Sequence, residues 1–171
     1  MAAARVSHIA LTGYHAIRRL MTHPAVLLIL RLYIGGVFIY ASMYKINYPA
    51  EFADTIASYQ LAPAWSINLL AVLMPWMELV AGVLLVLGWR TQAAAAIIAA
   101  LLVLFCVVIL VTLVRDVPIG CGCFTSVEEP MGWHTLGRDL VWLAMALLVF
   151  AKPSAWQLES RLMAALREML A

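Results

Sequence analysis

Residues 67–88 read INLLAVLMPWMELVAGVLLVLG. A single charge, Glu78, interrupts an apolar run of about the 20 residues that an α-helix needs to cross a hydrocarbon core roughly 30 Å thick. Two runs of the same kind flank it, Ala25 to Tyr44 and Ala93 to Val114. A fourth, Leu140 to Ala151, is too short alone. It reaches spanning length when its helix begins near Trp133 or His134, which draws Arg138 and Asp139 into the outer part of the bilayer. Leaving it outside would strand an apolar hairpin arm in water. The expected architecture is therefore all-α: an integral membrane four-helix bundle with its backbone hydrogen bonds closed inside each helix. Composition agrees, with 65% hydrophobic and 12% charged residues, where soluble domains run near roughly half and a quarter.

Short amphipathic pieces surround the spans. Val6, Ile9, Gly13, Ile17 and Leu20 recur at helical spacing beside Arg18 and Arg19, as in a helix lying in a membrane interface. In the tail, Ser154 is expected to be the N-cap of a second such helix, striped by Leu158, Leu162, Leu166 and Met169. Between the first two spans, a third helix is expected to open at Pro49, with Phe52, Ile56 and Tyr59 on one face. The chain divides into an interfacial helix within 1–24, the four-span unit 25–151 and a C-terminal interfacial helix within 152–171. The first span is not expected to be a cleavable signal peptide, because it starts late, contains Arg31 and is followed by no small-residue cleavage pattern.

Basic residues orient the spans. Seven (Arg5, Arg18, Arg19, Arg90, Lys152, Arg161, Arg167) fall on one side and three (Lys45, Arg115, Arg138) on the other. Both termini are then cytoplasmic, and the loop VPIGCGCFTSVEEP, residues 117–130, faces the periplasm or cell exterior, where disulfides persist. The basic residues sit at membrane edges, where lipid head groups account for them, and nothing in the chain points to nucleic acid.

Charges within the spans carry more information, since inserting one costs at least about 2.5 to 3.5 kcal/mol unless it is paired or hydrated. Counting about 1.5 Å per residue places Glu78 near the bilayer centre and Arg31 about 9 Å in from the cytoplasmic side, only a few ångströms apart in depth. Arg31 is thus the expected partner of Glu78. Arg138 lies about 10 Å shallower by the same count, and Lys45, at the end of its helix, is expected to snorkel outward. Should the count misjudge depth, Glu78 meets Lys45 or Arg138 instead. An Arg31–Glu78 pair either clamps two helices in register or lines a polar cavity, where Glu78 carries a proton or contacts a quinone head group. Pro75 suits both, because its missing donor frees a carbonyl one turn earlier.

Two of the three cysteines, Cys121 and Cys123, are separated by one glycine. Such a pair can close a small strained disulfide, and Gly122 supplies the backbone freedom this requires. Strain makes a disulfide a better oxidant, and an exposed, labile one is what thiol exchange uses. His134, at the start of the fourth span, is a candidate base or charge partner for the thiolate. Three other arrangements stay open: an inert staple, a metal site with His134 and Glu128 or Glu129, and two independent thiols. Structural zinc prefers four ligands and wider cysteine spacing. Cys106, inside the third span, is either an inert small hydrophobe or a relay between the loop pair and a membrane electron acceptor.

Taken in order, Arg31 followed by GGVF, ASMYKI ending the first span at Lys45, YPAEFADTIASYQLAP, MPWMELVAGVLLVLG around Glu78, CGCF, and GRDLVWLAM at Arg138 resemble the DoxX/MauE group of small four-helix membrane proteins, and its MauE branch in particular. The resemblance runs over residues 28–151. Thr125 departs from the glycine that commonly follows the phenylalanine of that loop, which affects flexibility rather than sulfur chemistry. The resemblance implies a bundle in the bacterial inner membrane with a role in thiol redox chemistry at its outer face. It implies partners among periplasmic thiol proteins or larger membrane complexes, since MauE relatives are associated with maturing a disulfide-rich periplasmic dehydrogenase subunit and DoxX relatives with sulfur-compound oxidation on quinone. The leading expectation is a membrane thiol:disulfide oxidoreductase. Cys121 and Cys123 form the exchanging pair, His134 assists, and Glu78, Arg31, Lys45 and Arg138 are candidates for proton handling or quinone contact. Two alternatives remain: a non-catalytic subunit that anchors or assembles a larger complex, and a metal or sulfur-compound carrier.

Overall fold

A computed structural model describes residues 23–115 and 132–152, and the single position Glu168. Helix α1 (Pro24–Asn47) starts where His23 Nδ1 accepts the Ala25 amide at 3.3 Å and Pro24 fills a first-turn position that needs no donor. Pro49 repeats the device after Tyr48 and opens the short α2 (Pro49–Ser58), as expected. Then follow α3 (Ala64–Leu87), α4 (Thr91–Val114) and α5 (Trp133–Ala151). Helices α1, α3, α4 and α5 are each long and apolar enough to cross a membrane, so the chain is an all-helical, multi-pass membrane protein. Each contains one of the expected runs, except that Gly88, the last residue of the second, caps α3 rather than extending it. The fourth begins at Trp133, as its length requires, and carries Arg138 and Asp139 within the span. The two terminal interfacial helices and the loop with Cys121 and Cys123 lie outside the described residues, apart from Glu168, which is helical and exposed.

The turn from α3 to α4 is tight because Gly88 adopts the left-handed conformation at φ 76°, donating its amide to the Leu84 carbonyl at 3.0 Å, while Arg90 follows at φ 46°. Neighbouring spans therefore run antiparallel. The asymmetry gives the bundle two ends: a turn end, with Pro24, Gly88 and Ala151, and an α2 end, with Asn47, Ala64, Val114 and Trp133. The most extensive interfaces pair α1 with α3 and α4 with α5, and thinner contacts of α3 with α4 and α1 with α5 close the ring.

Lipid tails are as apolar as leucine, so these helices hold together by close packing rather than by water exclusion. The α1–α3 interface shows how. A β-carbon placed on Gly35 would stand 2.9 Å from the Gly82 carbonyl oxygen, and one on Gly82 would stand 2.9 Å from that of Gly35. The two backbones touch. Around this crossing, Ile34, Ala81, Leu85, Ala94, Ile98 and Leu102 form the interior. Ile29, Leu69, Val72 and Val107 face outward, as lipid-facing positions do, with Trp65 and Trp133 exposed at the α2 end and Trp89 at the turn end, where interfacial aromatics belong.

Candidate functional site

In a helix every Cα–Cβ bond leans toward the N-terminus. In antiparallel α1 and α3, a side chain near the C-terminal end of α1 therefore leans into the bundle, and one in the middle of α3 leans back toward the α2 end. Lys45 and Glu78 converge in this way. The Lys45 Nζ donates to Glu78 Oε1 at 2.7 Å and Oε2 at 2.9 Å, with the two residues only 2% and 1% exposed.

This corrects the expected Arg31–Glu78 pair. Arg31 is buried in α1 but leans toward the turn end. Its guanidinium packs against Gly88, where a β-carbon would meet Nη1 at 3.0 Å and Nη2 at 3.1 Å. The cation thus stands beside the carbonyl-rich C-terminus of α3, where a positive charge is stabilised. The expected outward snorkelling of Lys45 is corrected too. Helix α2 folds over the end of α1 and buries Phe52 and Ile56 there. The Lys45 ammonium lies 5.1 Å from the Phe52 ring centre and 5.0 Å from that of Phe105, a geometry that favours a cation between aromatic faces. Tyr44 secures this roof by donating to Glu51 Oε2 at 2.6 Å, and its ring centre lies 5.0 Å from that of Tyr48.

Arg138 does not bond to Glu78. Its Nε and Nη2 both lie 3.1 Å from Asp139 Oδ1, and its guanidinium carbon lies 4.6 Å from the Trp142 ring centre. Asp139 itself is 2% exposed. Sequence reasoning placed it in the span but did not name it as a site residue. The available signal was its place on the buried stripe Thr135, Asp139, Ala146 and Val149 of α5. A small cleft of about 30 Å3 brings both ion pairs together, so Lys45, Glu78, Arg138 and Asp139 share one space, with Phe105 and Trp142 in its wall.

On the other side of Lys45 lies a larger cavity of about 350 Å3, between α1, α2, α3 and α4. Phe52, Tyr59, Leu70, Met74, Phe105 and Ile109 are among the residues lining it, and Lys45 is the one charged group in that lining. A mostly apolar cavity with few convergent polar groups is the usual form of a small-molecule site. Lys45 and Phe105 belong to both spaces. No sequence signal pointed to the cavity, because it arises from the way α2 crosses the gap between spans.

Neither His134 nor Cys106 lines the cleft or the cavity. His134 is exposed in the first turn of α5, and Cys106, adjoining Phe105, is a half-buried free thiol. Cys121 and Cys123 lie outside the described residues, although Arg115 and Gly132, the described residues nearest that loop on either side, both lie at the α2 end. Among the described residues, no three His, Cys, Asp or Glu side chains gather closely enough to hold a metal ion.

With this geometry in place, comparison with known proteins adds the family. A family model described as methylamine utilisation protein MauE matches residues 23–152. The chain belongs to the MauE family. It is 32% identical over 138 residues to the methylamine utilization protein MauE of Methylophilus methylotrophus, covering 78% of this chain and 72% of that one. Against the MauE protein of Methylorubrum extorquens it is 30% identical, covering 83% and 75%, and against that of Paracoccus denitrificans 29% identical, covering 75% and 70%. No solved structure matches the chain. The segment matched by the MauE family model contains both ion pairs and the cavity lining, as well as Cys121 and Cys123.

Proposed function

We propose that this chain is a thiol:disulfide redox component of the bacterial inner membrane that serves methylamine utilisation, passing electrons between periplasmic thiols and quinone. The observation that carries this reading is the apolar cavity bounded at one edge by Lys45. Glu78 already balances the Lys45 charge, so the cavity calls for a neutral ligand rather than an anion. Lys45 can offer a hydrogen bond, and the Phe52 and Phe105 rings favour a flat partner. A quinone ring, neutral, planar and edged with carbonyl oxygens, has these properties. The membership in the MauE family supports the methylamine context, and the wider kinship with DoxX proteins belongs to the same reading. The bias of basic residues supports cytoplasmic termini and a periplasmic cysteine loop.

A partner dithiol reduces the Cys121–Cys123 disulfide through a mixed disulfide, and the second cysteine resolves it. The partner is oxidised to its disulfide. Re-oxidation of the Cys121–Cys123 dithiol then delivers two electrons to quinone and releases two protons, while quinone takes up two protons to become quinol. His134, exposed in the first turn of α5, is the proposed base for the thiolate. After the ammonium has donated a proton, the Glu78 carboxylate takes one up and passes it to the neutral Lys45 amine, which restores the pair.

The test is a thiol titration of the protein in nanodiscs across redox buffers, together with quinone reduction. Cys121 and Cys123 are expected to interconvert between about −120 and −270 mV, and Lys45→Met is expected to abolish quinone reduction while sparing exchange with small thiols. A pair that never changes state in that window overturns the reading. A membrane-impermeant maleimide added outside intact cells should label reduced Cys121 and Cys123 but not a cysteine placed at Thr91, and labelling from the cytoplasm alone would overturn the orientation.

A further inference from the structure

The cleft on the far side of Lys45 holds more charge than helix registration needs. Close contact of Gly35 with Gly82 already sets α1 against α3. A buried ion pair is seldom more stabilising than apolar residues of the same size, yet two pairs face one space. We infer that Asp139, with Glu78, forms a two-carboxylate proton relay across this cleft, supplying the ligand cavity through Lys45.

The relay rests on the quinone reading above and follows from where protons are needed. The cavity is lined by apolar groups apart from Lys45, Ser66 and Tyr59, and the Ser66 hydroxyl is committed to the Pro63 carbonyl at 2.8 Å. Lys45 is the one charged donor in that lining, so the relay delivers protons for a reduced ligand through it. Glu78 touches Lys45 but does not line the large cavity, so it can recharge the amine without meeting the ligand. Glu78 must in turn be recharged. The second carboxylate facing the cleft is Asp139, held by Arg138, whose side chain is partly exposed and so links the cleft to the surroundings. The space of about 30 Å3 accommodates at least about one water molecule, and the four charged groups supply the two to four partners such a water requires. Asp139 first takes up a proton from the surroundings on the partly exposed Arg138 side; that proton passes through water to the Glu78 carboxylate and then to the neutral amine left when Lys45 has donated, and each transfer returns the carboxylate behind it to its ionised, paired form. The groups facing the relay are Lys45 from α1, Glu78 from α3, and Arg138 with Asp139 from α5. Helix α4 contributes Leu102 and Phe105 to the cleft lining, and its Cys106 thiol lies close enough to Asp139 to interact with it electrostatically. Asp139 is thus a positioning residue that acts through Glu78.

Two measurements test this. In nanodiscs with a short-tailed quinone, Asp139→Asn should lower quinone reduction about a hundredfold, alter its pH profile and leave thiol exchange intact, with Asp139→Glu restoring both rate and profile. Turnover of folded Asp139→Asn at the parent rate and pH profile overturns the relay. Infrared titration of the carboxyl bands gives a readout independent of quinone. If the carboxylates share the cleft, Glu78→Gln should displace the Asp139 titration by about one pH unit or more, and an unmoved Asp139 band overturns the inference. A parent that shows this coupling but reduces no quinone defeats the redox reading and leaves the proton-sharing cleft standing.

Discussion

Arg31 and Lys45 are both basic, both buried and both on α1, yet they do different work at its two ends. Lys45 meets a carboxylate, is roofed by α2 and borders a cavity. Arg31 lies against the end of α3 and the turn glycine. Heights counted from the ends of apolar runs did not select the partner; the register of the packed helices and the lean of the side chains did. Counted from the contact of Gly35 with Gly82, Arg31 lies four residues toward the turn end and Glu78 four residues toward the α2 end, about 12 Å apart along the bundle, and their side chains lean further apart, whereas those of Lys45 and Glu78 lean together.

The comparison breaks most severely at Glu78. Glu78→Ala leaves the Lys45 ammonium buried without its carboxylate and should cost about 3 to 5 kcal/mol, read as lost folded yield and a lower unfolding midpoint in detergent. Replacing Lys45 by Met in the same protein should recover much of that loss, while replacing Arg31 should not. Next comes the pivot between the two ends. Gly82→Leu drives a side chain into the Gly35 backbone, which cannot yield as a flexible side chain would. It should cost about 1 to 3 kcal/mol and increase the α1–α3 distance measured between paired spin labels.

A smaller effect is expected at the Arg31 end. Gly88→Ala forces a β-carbon into a left-handed residue beside the guanidinium and should cost about 1 to 2 kcal/mol, without changing ligand binding at the cavity. Smallest is the roof at the Lys45 end. Tyr44→Phe removes the exposed hydrogen bond to Glu51 and should cost at most about 1 kcal/mol, seen as faster amide exchange in α2 with the global midpoint nearly unchanged.

Much of the fold was legible because the bilayer limits what can cross it. Continuous apolar runs identified the four spans, the length requirement pulled the start of α5 back to Trp133, and Pro49 marked the start of α2. Glu78 was legible as a site because an unpaired carboxylate in hydrocarbon is costly. Its partner was not, since counting from the ends of apolar runs misses the register that the Gly35–Gly82 contact sets, the side-chain direction and the burial that α2 imposes on Lys45. Asp139 lay in plain view beside Arg138, and its position on the buried stripe of α5 was the overlooked signal. The cavity belongs to no single segment: it is bounded by residues from four helices and forms only when α2 crosses the gap between the spans.

The central claim is that Lys45, and not Arg31, is bound to Glu78. Paired double-mutant cycles test it most directly, with Lys45→Met and Glu78→Gln in one, Arg31→Met and Glu78→Gln in the other, and unfolding free energy measured under the same conditions. A coupling of about 1 to 3 kcal/mol is expected for Lys45 with Glu78, and additivity within about 0.5 kcal/mol for Arg31 with Glu78. The reverse pattern, additive for Lys45 and strongly coupled for Arg31, would contradict the account and return Glu78 to the other end of the helix.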